Sequence, residues 1–226
     1  MSRCRRWLWL CFVAFLSLPL RAASLAEGFT RLPEGAVVLL MPLDIELFSV
    51  SAGGILEPQA EWTEKAQANL RQAFLTRSSA LKVNFMPLPG EVDEVVESLN
   101  RLHGAVGQAI AMHHRGLFEL PTKEGRLDWS LGDEAALMRA RTGADYALFA
   151  FVRDSYASSE RVAMMVVGAL LGFGLSGGMQ VGYASLVDLG SGRVLWFNTL
   201  LRQSGDLREL EKARESCDAL LEKFPE

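Results

Sequence analysis

The stretch GADYALFAFVRDSYASSERVAMMVVGALLGFGLSGGMQVGYASLVDLGSGRVLWFN, Gly143 to Asn198, decides the fold. It opens with Asp145 to Val152, a run dense in Ala, Leu, Phe, Tyr and Val, the composition of a central strand buried on both faces. It closes on a hairpin pattern, with Tyr183–Leu189 and Arg193–Leu201 flanking Gly190-Ser191-Gly192. Between these parts, Val162 to Val187 contains no charged residue.

Upstream, Ala36 to Met41 is a continuous apolar run, again the pattern of a strand covered on both faces, and Asp44–Val50 continues it as a ragged edge beyond Pro42. Trp62, Ala66, Leu70, Ala73 and Phe74 recur at helical spacing within Pro58 to Ser78, and Leu81, Val83 and Phe85 alternate as a half-exposed strand. From Glu91 to His114, Val92, Val95, Leu99, Leu102, Val106, Ala109 and His113 form a heptad-like seam, broken beside it by Gly104 and Gly107. The seam predicts a long amphipathic helix lying on its own sheet, with a coiled-coil contact as the rival reading. A polar connection over 116–128 leads to Ser130-Leu131-Gly132-Asp133, which has the form of a capping box for a helix that Gly143 ends in a left-handed turn. Past the hairpin, Ser204 is placed to cap a final helix with Leu207, Leu210, Arg214, Cys217, Leu221 and Phe224 on one stripe. The order is strand, helix, strand, helix, helix, strand, hairpin, helix. It predicts an α/β (α+β) class: a mixed sheet of about five strands with helices packed on it and a C-terminal hairpin followed by a helix.

Residues 1–26 have the form of a cleavable export signal. Arg3, Arg5 and Arg6 precede an apolar region from Trp7 to Leu20, and the small residues Ala22, Ala23, Ser24 and Ala26 allow cleavage after Ser24 or Ala26. Residues 27–226 then make one domain with an apolar, glycine-rich insertion at about 155–182. Cys4 and Cys11 lie in the leader without the small residues that lipidation needs, so the mature chain keeps only Cys217, reads as not lipidated and has no internal disulfide. Losing Arg3, Arg5, Arg6 and Arg21 takes the formal charge from −4 to −8, the wrong sign for a nucleic-acid surface.

Two short motifs invite chemistry. Gly172-Phe173-Gly174-Leu175-Ser176-Gly177 fits G-x-G-x-x-G, but that fingerprint needs a strand before it and a helix after it, and Met179 to Leu189 reads as strand. Gly174-Leu175-Ser176-Gly177-Gly178 fits G-x-S-x-G, yet His103, His113 and His114 all precede the serine, the reverse of the nucleophile-elbow order. A hydrolase using Ser176 is therefore the weakest alternative. Adjacent His113 and His114 point about 100° apart on a helix and cannot share one ion from one face. Asp145, Asp154 and Glu160 read as ordinary edge and cap residues. No catalytic, cofactor-binding or metal site is expected.

The uncharged segment from 162 to 187 has three readings. Burial against the domain is the default for a chain of this size; an apolar surface for a partner or a second copy comes next, and a membrane-inserting element last. If it is a surface, Val162, Met165, Val166, Leu170, Leu171, Phe173 and Leu175 line it.

Ala140-Arg141-Thr142-Gly143-Ala144-Asp145-Tyr146-Ala147-Leu148 resembles the helix, Gly-Ala-Asp-Tyr, strand junction of a group of periplasmic domains. Leu186 to Trp196 is similar to the strand, Asp, Gly-containing turn, strand, Trp hairpin that follows in them. The group includes the curli secretion channel subunit CsgG, the penicillin-binding-protein activator LpoB and the N-terminal domain of TolB. The resemblance implies a periplasmic accessory protein of the bacterial cell envelope that is not an enzyme, needs no cofactor, and binds an envelope protein or itself. Its alternative is a membrane-inserting or pore-forming secretion subunit. Many relatives are lipoproteins, and this chain departs from them in lacking the lipidated cysteine.

Overall fold

A computed structural model describes residues 23–114 and 118–226. The basic and apolar parts of the expected leader lie outside the described residues. The chain forms β1 (Ser24–Leu25), β2 (Val37–Leu40), β3 (Asp44–Val50), β4 (Leu56–Pro58), α1 (Ala60–Ala80), β5 (Asn84–Pro87), α2 (Glu94–His113), α3 (Ala135–Thr142), β6 (Tyr146–Ala157), α4 (Ser159–Leu170), β7 (Gln180–Asp188), β8 (Val194–Arg202) and α5 (Leu210–Leu220). The class is the mixed α/β one expected, although the described residues form eight strands and not about five. They run in the order β1-β8-β7-β6-β2-β5, with β3 beside the far half of β6 and β4 outside β3.

Strand β6 is the axis. Its first residues pair in parallel with β2 (Val38 with Tyr146), its last with β3 (Asp44 with Phe151, Val50 with Ala157), and its other side with β7 antiparallel. The Asp44–Val50 segment is therefore a full strand, and it carries β6 on to Ala157, past the expected end at Val152. Side chains alternate across the sheet. Leu148, Ala150 and Val152 join Val38, Leu40 and Trp196 in a core under α1 and α5. Ala147 and Phe149 join Leu39, Met41 and Phe197 in a second core under α2 and α3. This two-sided burial is why Ala36 to Met41 has no polar alternation.

Three local expectations fail and one holds. Ser130 does not cap α3: its hydroxyl accepts from Gly132 N–H at 2.9 Å, Ser130 bridges to Arg193, and the helix starts at Ala135 with no side-chain cap. Ser204 does not cap α5, which starts six residues later at Leu210. In α2 the buried stripe is Val96, Leu99, His103, Gly104, Gly107 and Ile110, only partly the heptad seam. The cause is Tyr183. Its hydroxyl donates to Gly104 C=O at 2.7 Å, and a Cβ on Gly107 would lie 2.1 Å from its ring. The glycines that interrupt the seam are the surface on which the helix sits. Gly143 does end α3, at φ 71°.

Candidate functional site

The uncharged segment leaves the end of the sheet as a helical projection. Ser158 Oγ accepts from Arg161 N–H at 3.2 Å and caps α4, and hydrogen bonds from its own backbone N–H and from Ser158 and Ser159 hold the Glu160 carboxyl below its usual range. Arg161 ties the helix base to its surroundings: Nε donates to Ser176 C=O at 2.9 Å and Nη1 to Ala52 C=O at 3.5 Å. At the far end Phe173 N–H returns to Gly168 C=O at 3.0 Å, and the Phe173 ring lies on Gly168, where a Cβ would meet it at 2.9 Å. The only buried residue of α4 is Gly168.

Burial, the default expectation for 162–187, holds for its second half, the core strand β7, and fails for its first, α4 and the coil that follows. Neither core includes a residue of α4. Leu170 is 82% exposed, Leu171 70% and Phe173 51%, with Val162, Met164, Val166 and Val167 about half exposed. Met165 and Leu175 are half-buried, Met165 against Gly177 of the returning coil, where a Cβ would meet its Cε at 3.1 Å. Of the seven predicted surface residues, Val162, Val166, Leu170, Leu171 and Phe173 thus reach solvent together, and Met164 and Val167 join them. The physical reason lies in the sheet. Both of its faces carry helix pairs, α1/α5 and α2/α3, and a helix inserted beyond the end of β6 joins neither core. Covering these half-exposed side chains would contribute about 1 kcal/mol each.

A buried polar network anchors this projection, and sequence reasoning missed it. Asp154 is a buried carboxylate and not an edge residue: it accepts from Tyr156 O–H and, at 2.8 Å, from Gln180 Nε2. Gln180 Oε1 accepts from Ser216 Oγ at 2.8 Å, and Tyr156 Oη accepts from Leu207 N–H at 2.8 Å. The exit of β6, the entry of β7 and helix α5 are thereby joined. Burial raises the Asp154 carboxyl pKa, opposed by the bonds from Tyr156 and Gln180. Only the alternation of Asp154 with outward-facing Arg153 and Ser155 could have revealed this, and the sequence pattern there is too short.

The catalytic candidates are kept apart. His103 is buried under α2, stacked on Phe149 with centroids 4.6 Å apart, and its Nε2 lies 2.7 Å from Ser185 Oγ. Burial lowers its pKa to about 3, so the ring is neutral and a poor base. Ser176 sits at the surface on the coil between α4 and β7, so the G-x-G-x-x-G match follows a helix and precedes a strand, the reverse of a dinucleotide site. His113 Nδ1 lies 2.7 Å from Phe118 C=O. Among the described residues no three His, Cys, Asp or Glu side chains converge as a metal site, and no helix is long and apolar enough to cross a membrane. Cys217 is buried and unbridged under α5, which pushes its thiol up to about 12.

The fold and site define a mixed α/β domain with an apolar helical projection. No protein-family model matches the chain, and no curated protein matches it. Among solved structures it is similar to a PelC dodecamer from Paraburkholderia phytofirmans, at 11% identity over 90% of this chain and 97% of that one, TM-score 0.43. It is also similar to the LpoB C-terminal domain from Salmonella enterica, at 15% identity over 79% and 88% of the two chains, TM-score 0.32. Lipoprotein GNA1162 from Neisseria meningitidis matches at 14% over 75% and 81%, TM-score 0.31. Of the three proteins that the Gly143–Trp196 residues resemble, LpoB is thus among the neighbours. These likenesses are of chain course and carry no activity, partner or assembly to this protein.

Proposed function

We propose that the chain is a non-catalytic accessory protein of the bacterial cell envelope, exported to the periplasm and acting through protein contacts made by α4 and its return coil. One observation carries this reading: the exposed apolar surface from Val162 to Phe173, held out by a capped helix whose base is pinned by Arg161 and by the Asp154 network. A monomeric domain gains nothing by exposing so many contiguous apolar side chains, and such patches mark contact sites. The neutral, buried His103 and the surface position of Ser176 weigh against the hydrolase alternative. Export follows from the leader, with cleavage after Ser24 preferred, because Ala26 is buried and donates its N–H to Leu195 C=O at 2.8 Å.

A second reading, insertion into a membrane, has the tip formed by Leu170, Leu171 and Phe173 in its favour. Helix α4 has 12 residues, about 18 Å, against a hydrocarbon core of about 30 Å. Two measurements separate the readings. Crosslinking in intact cells, followed by pull-down, is expected to capture an envelope protein with the native chain and to lose it with Val166→Asp/Leu170→Asp. Equal capture by both would overturn the proposal. Flotation with liposomes is expected to leave the protein at the bottom of the gradient; co-flotation abolished by the same substitutions would favour the membrane reading.

A further inference from the structure

Strands β2 and β5 are parallel neighbours whose carboxyl ends lead to opposite faces of the sheet. Leu40, the last residue of β2, lies opposite Pro87, the last of β5. Beyond Leu40 the chain resumes at Asp44 as β3, paired with β6, and β4 joins its other side only at Phe48. From there the chain passes to α1, over one core, whereas from β5 it passes to α2, over the other. Such a divergence leaves a crevice outside the strand ends, and in open α/β sheets that crevice is where ligands bind. Here it is a cavity of about 460 Å³, within the ordinary range for a small-molecule site.

The floor is residues 40–43, and Asn100 Nδ2 on α2 donates to Pro42 C=O at 2.8 Å and holds it in place. One wall is the loop after β5, with Leu88 and the bare backbone of Gly90. The other wall is a stripe of α1. Glu64, Gln67, Ala68 and Arg71 lie at i, i+3, i+4 and i+7 and so share a face, while Asn69 on another flank holds α5 through Leu207 C=O at 2.9 Å. Elsewhere on α1–α3, Arg77, Arg101, Arg139 and Arg141 each have a carboxylate partner. Among the described residues the side chains of Arg71, Glu64 and Gln67 have none, neither ion pair nor hydrogen bond. The crevice thus holds an unpaired cation at one end and an unpaired anion at the other. Two helical turns, about 10 Å along the axis, separate them, with a neutral middle.

We propose that this crevice binds a short peptide with free ends, its carboxylate on Arg71 and its ammonium on Glu64. The planar guanidinium matches a carboxylate in two parallel hydrogen bonds, and the Glu64 carboxylate accepts from an ammonium. Spacing selects the length. A single amino acid carries its two charges roughly 3 Å apart and cannot meet both residues; an extended chain gains about 3.3–3.6 Å per residue, so about three residues match the stripe. Between the ends, the Gln67 amide can both donate to and accept from a peptide group, and Ala68 leaves room for the backbone to approach. The middle of the stripe carries no charge, so small uncharged side chains suit it. No residue of α4 lines the crevice, and the assignment does not depend on the function proposed above.

The test uses the exported, processed chain with trialanine as the probe, followed by amide shifts in NMR titration. Saturable binding is expected, with the shifts concentrated at residues 64–71 and at Gly90. Trialanine amide and N-acetyl-trialanine each lose one charge and are expected to bind about 10-fold more weakly or worse, as is alanine alone. Glu64 and Arg71 are exposed on the helix, so Glu64→Gln and Arg71→Gln are expected to leave the unfolding curve unchanged. Arg71→Gln is expected to weaken trialanine about 10-fold while barely affecting the amide; Glu64→Gln is expected to do the same for trialanine and the N-acetyl peptide. These pairings distinguish direct contact with each end from a general loss of the cavity. Absence of saturable binding in the millimolar range overturns the proposal, as does binding indifferent to both substitutions. Alanine binding as tightly as trialanine also refutes it. So does binding that needs Arg71 and the free carboxylate but ignores Glu64 and N-acetylation, which would reduce the crevice to a simple carboxylate site.

Discussion

Helices α2 and α4 are both apolar and both contain glycine, yet one is part of the core and the other is not. In α2, Gly104 and Gly107 receive Tyr183, and Val96, Leu99, His103 and Ile110 are buried against the sheet. In α4, Gly168 receives only Phe173 from the chain's own return coil, and the remaining side chains, apart from Arg161 on Ala52 C=O, reach solvent or that coil. Apolar composition therefore does not decide whether a helix is docked. What decides is whether a sheet face remains open where the helix falls.

The largest expected effect lies on the docked side. Gly107→Leu drives a side chain into the Tyr183 ring and is expected to cost about 3 kcal/mol or more in denaturant unfolding, whereas Gly168→Ala displaces only Phe173 and is expected to cost less than about 1 kcal/mol. Similar losses at the two glycines would break the comparison. At the base of α4, Asp154→Ala strips partners from Tyr156 and Gln180 and is expected to cost about 2–3 kcal/mol, although the projection it supports is exposed. Hydrogen exchange should then rise at the start of β7 before it rises in α2.

Under α2, pH is the probe. His103 titrates at about 3 in the folded chain against 6.5 for the ordinary side chain, so below pH 6.5 the unfolded state binds the extra proton. Stability from this group is present above 6.5 and is lost as pH falls; by pH 5 the loss is about 2 kcal/mol. Asp154 has the opposite sign: its raised carboxyl pKa makes the folded state gain the proton first on acidification, so its contribution improves as pH falls toward the ordinary aspartate range. A His103→Gln variant should lose the first slope and keep the second, as read from unfolding curves between pH 7 and 5. The smallest effect is expected at the exposed helix, where Val166→Asp/Leu170→Asp should change unfolding free energy by no more than about 0.5 kcal/mol per site. A loss of several kcal/mol there would mean that α4 is docked in solution, contrary to its exposure.

Much of the scaffold was legible from local pattern. The two-sided strand Val37–Leu40, the hairpin around Ser191, the left-handed stop at Gly143 and the α1 stripe of Ala66, Leu70, Ala73 and Phe74 all follow from spacing and residue type. The candidate surface was legible only as an oddity, an uncharged run that could be core, contact or membrane element. Ser130 and Ser204 misled, because a serine before an apolar run is a local signal that nearby pairing, here the Ser130 bridge to Arg193, can override.

The sequence by itself determined the order and kind of the main scaffold elements, though not β1, β4 or α4, since period, turn chemistry and glycine placement act between near neighbours. Tertiary structure alone decided which face of α2 is buried, that Asp154 is a buried anchor and that α4 stands in solvent. Each of these depends on where distant segments come to lie: on Tyr183 reaching Gly107, on Ser216 reaching Gln180, and on the other helices filling both cores without α4.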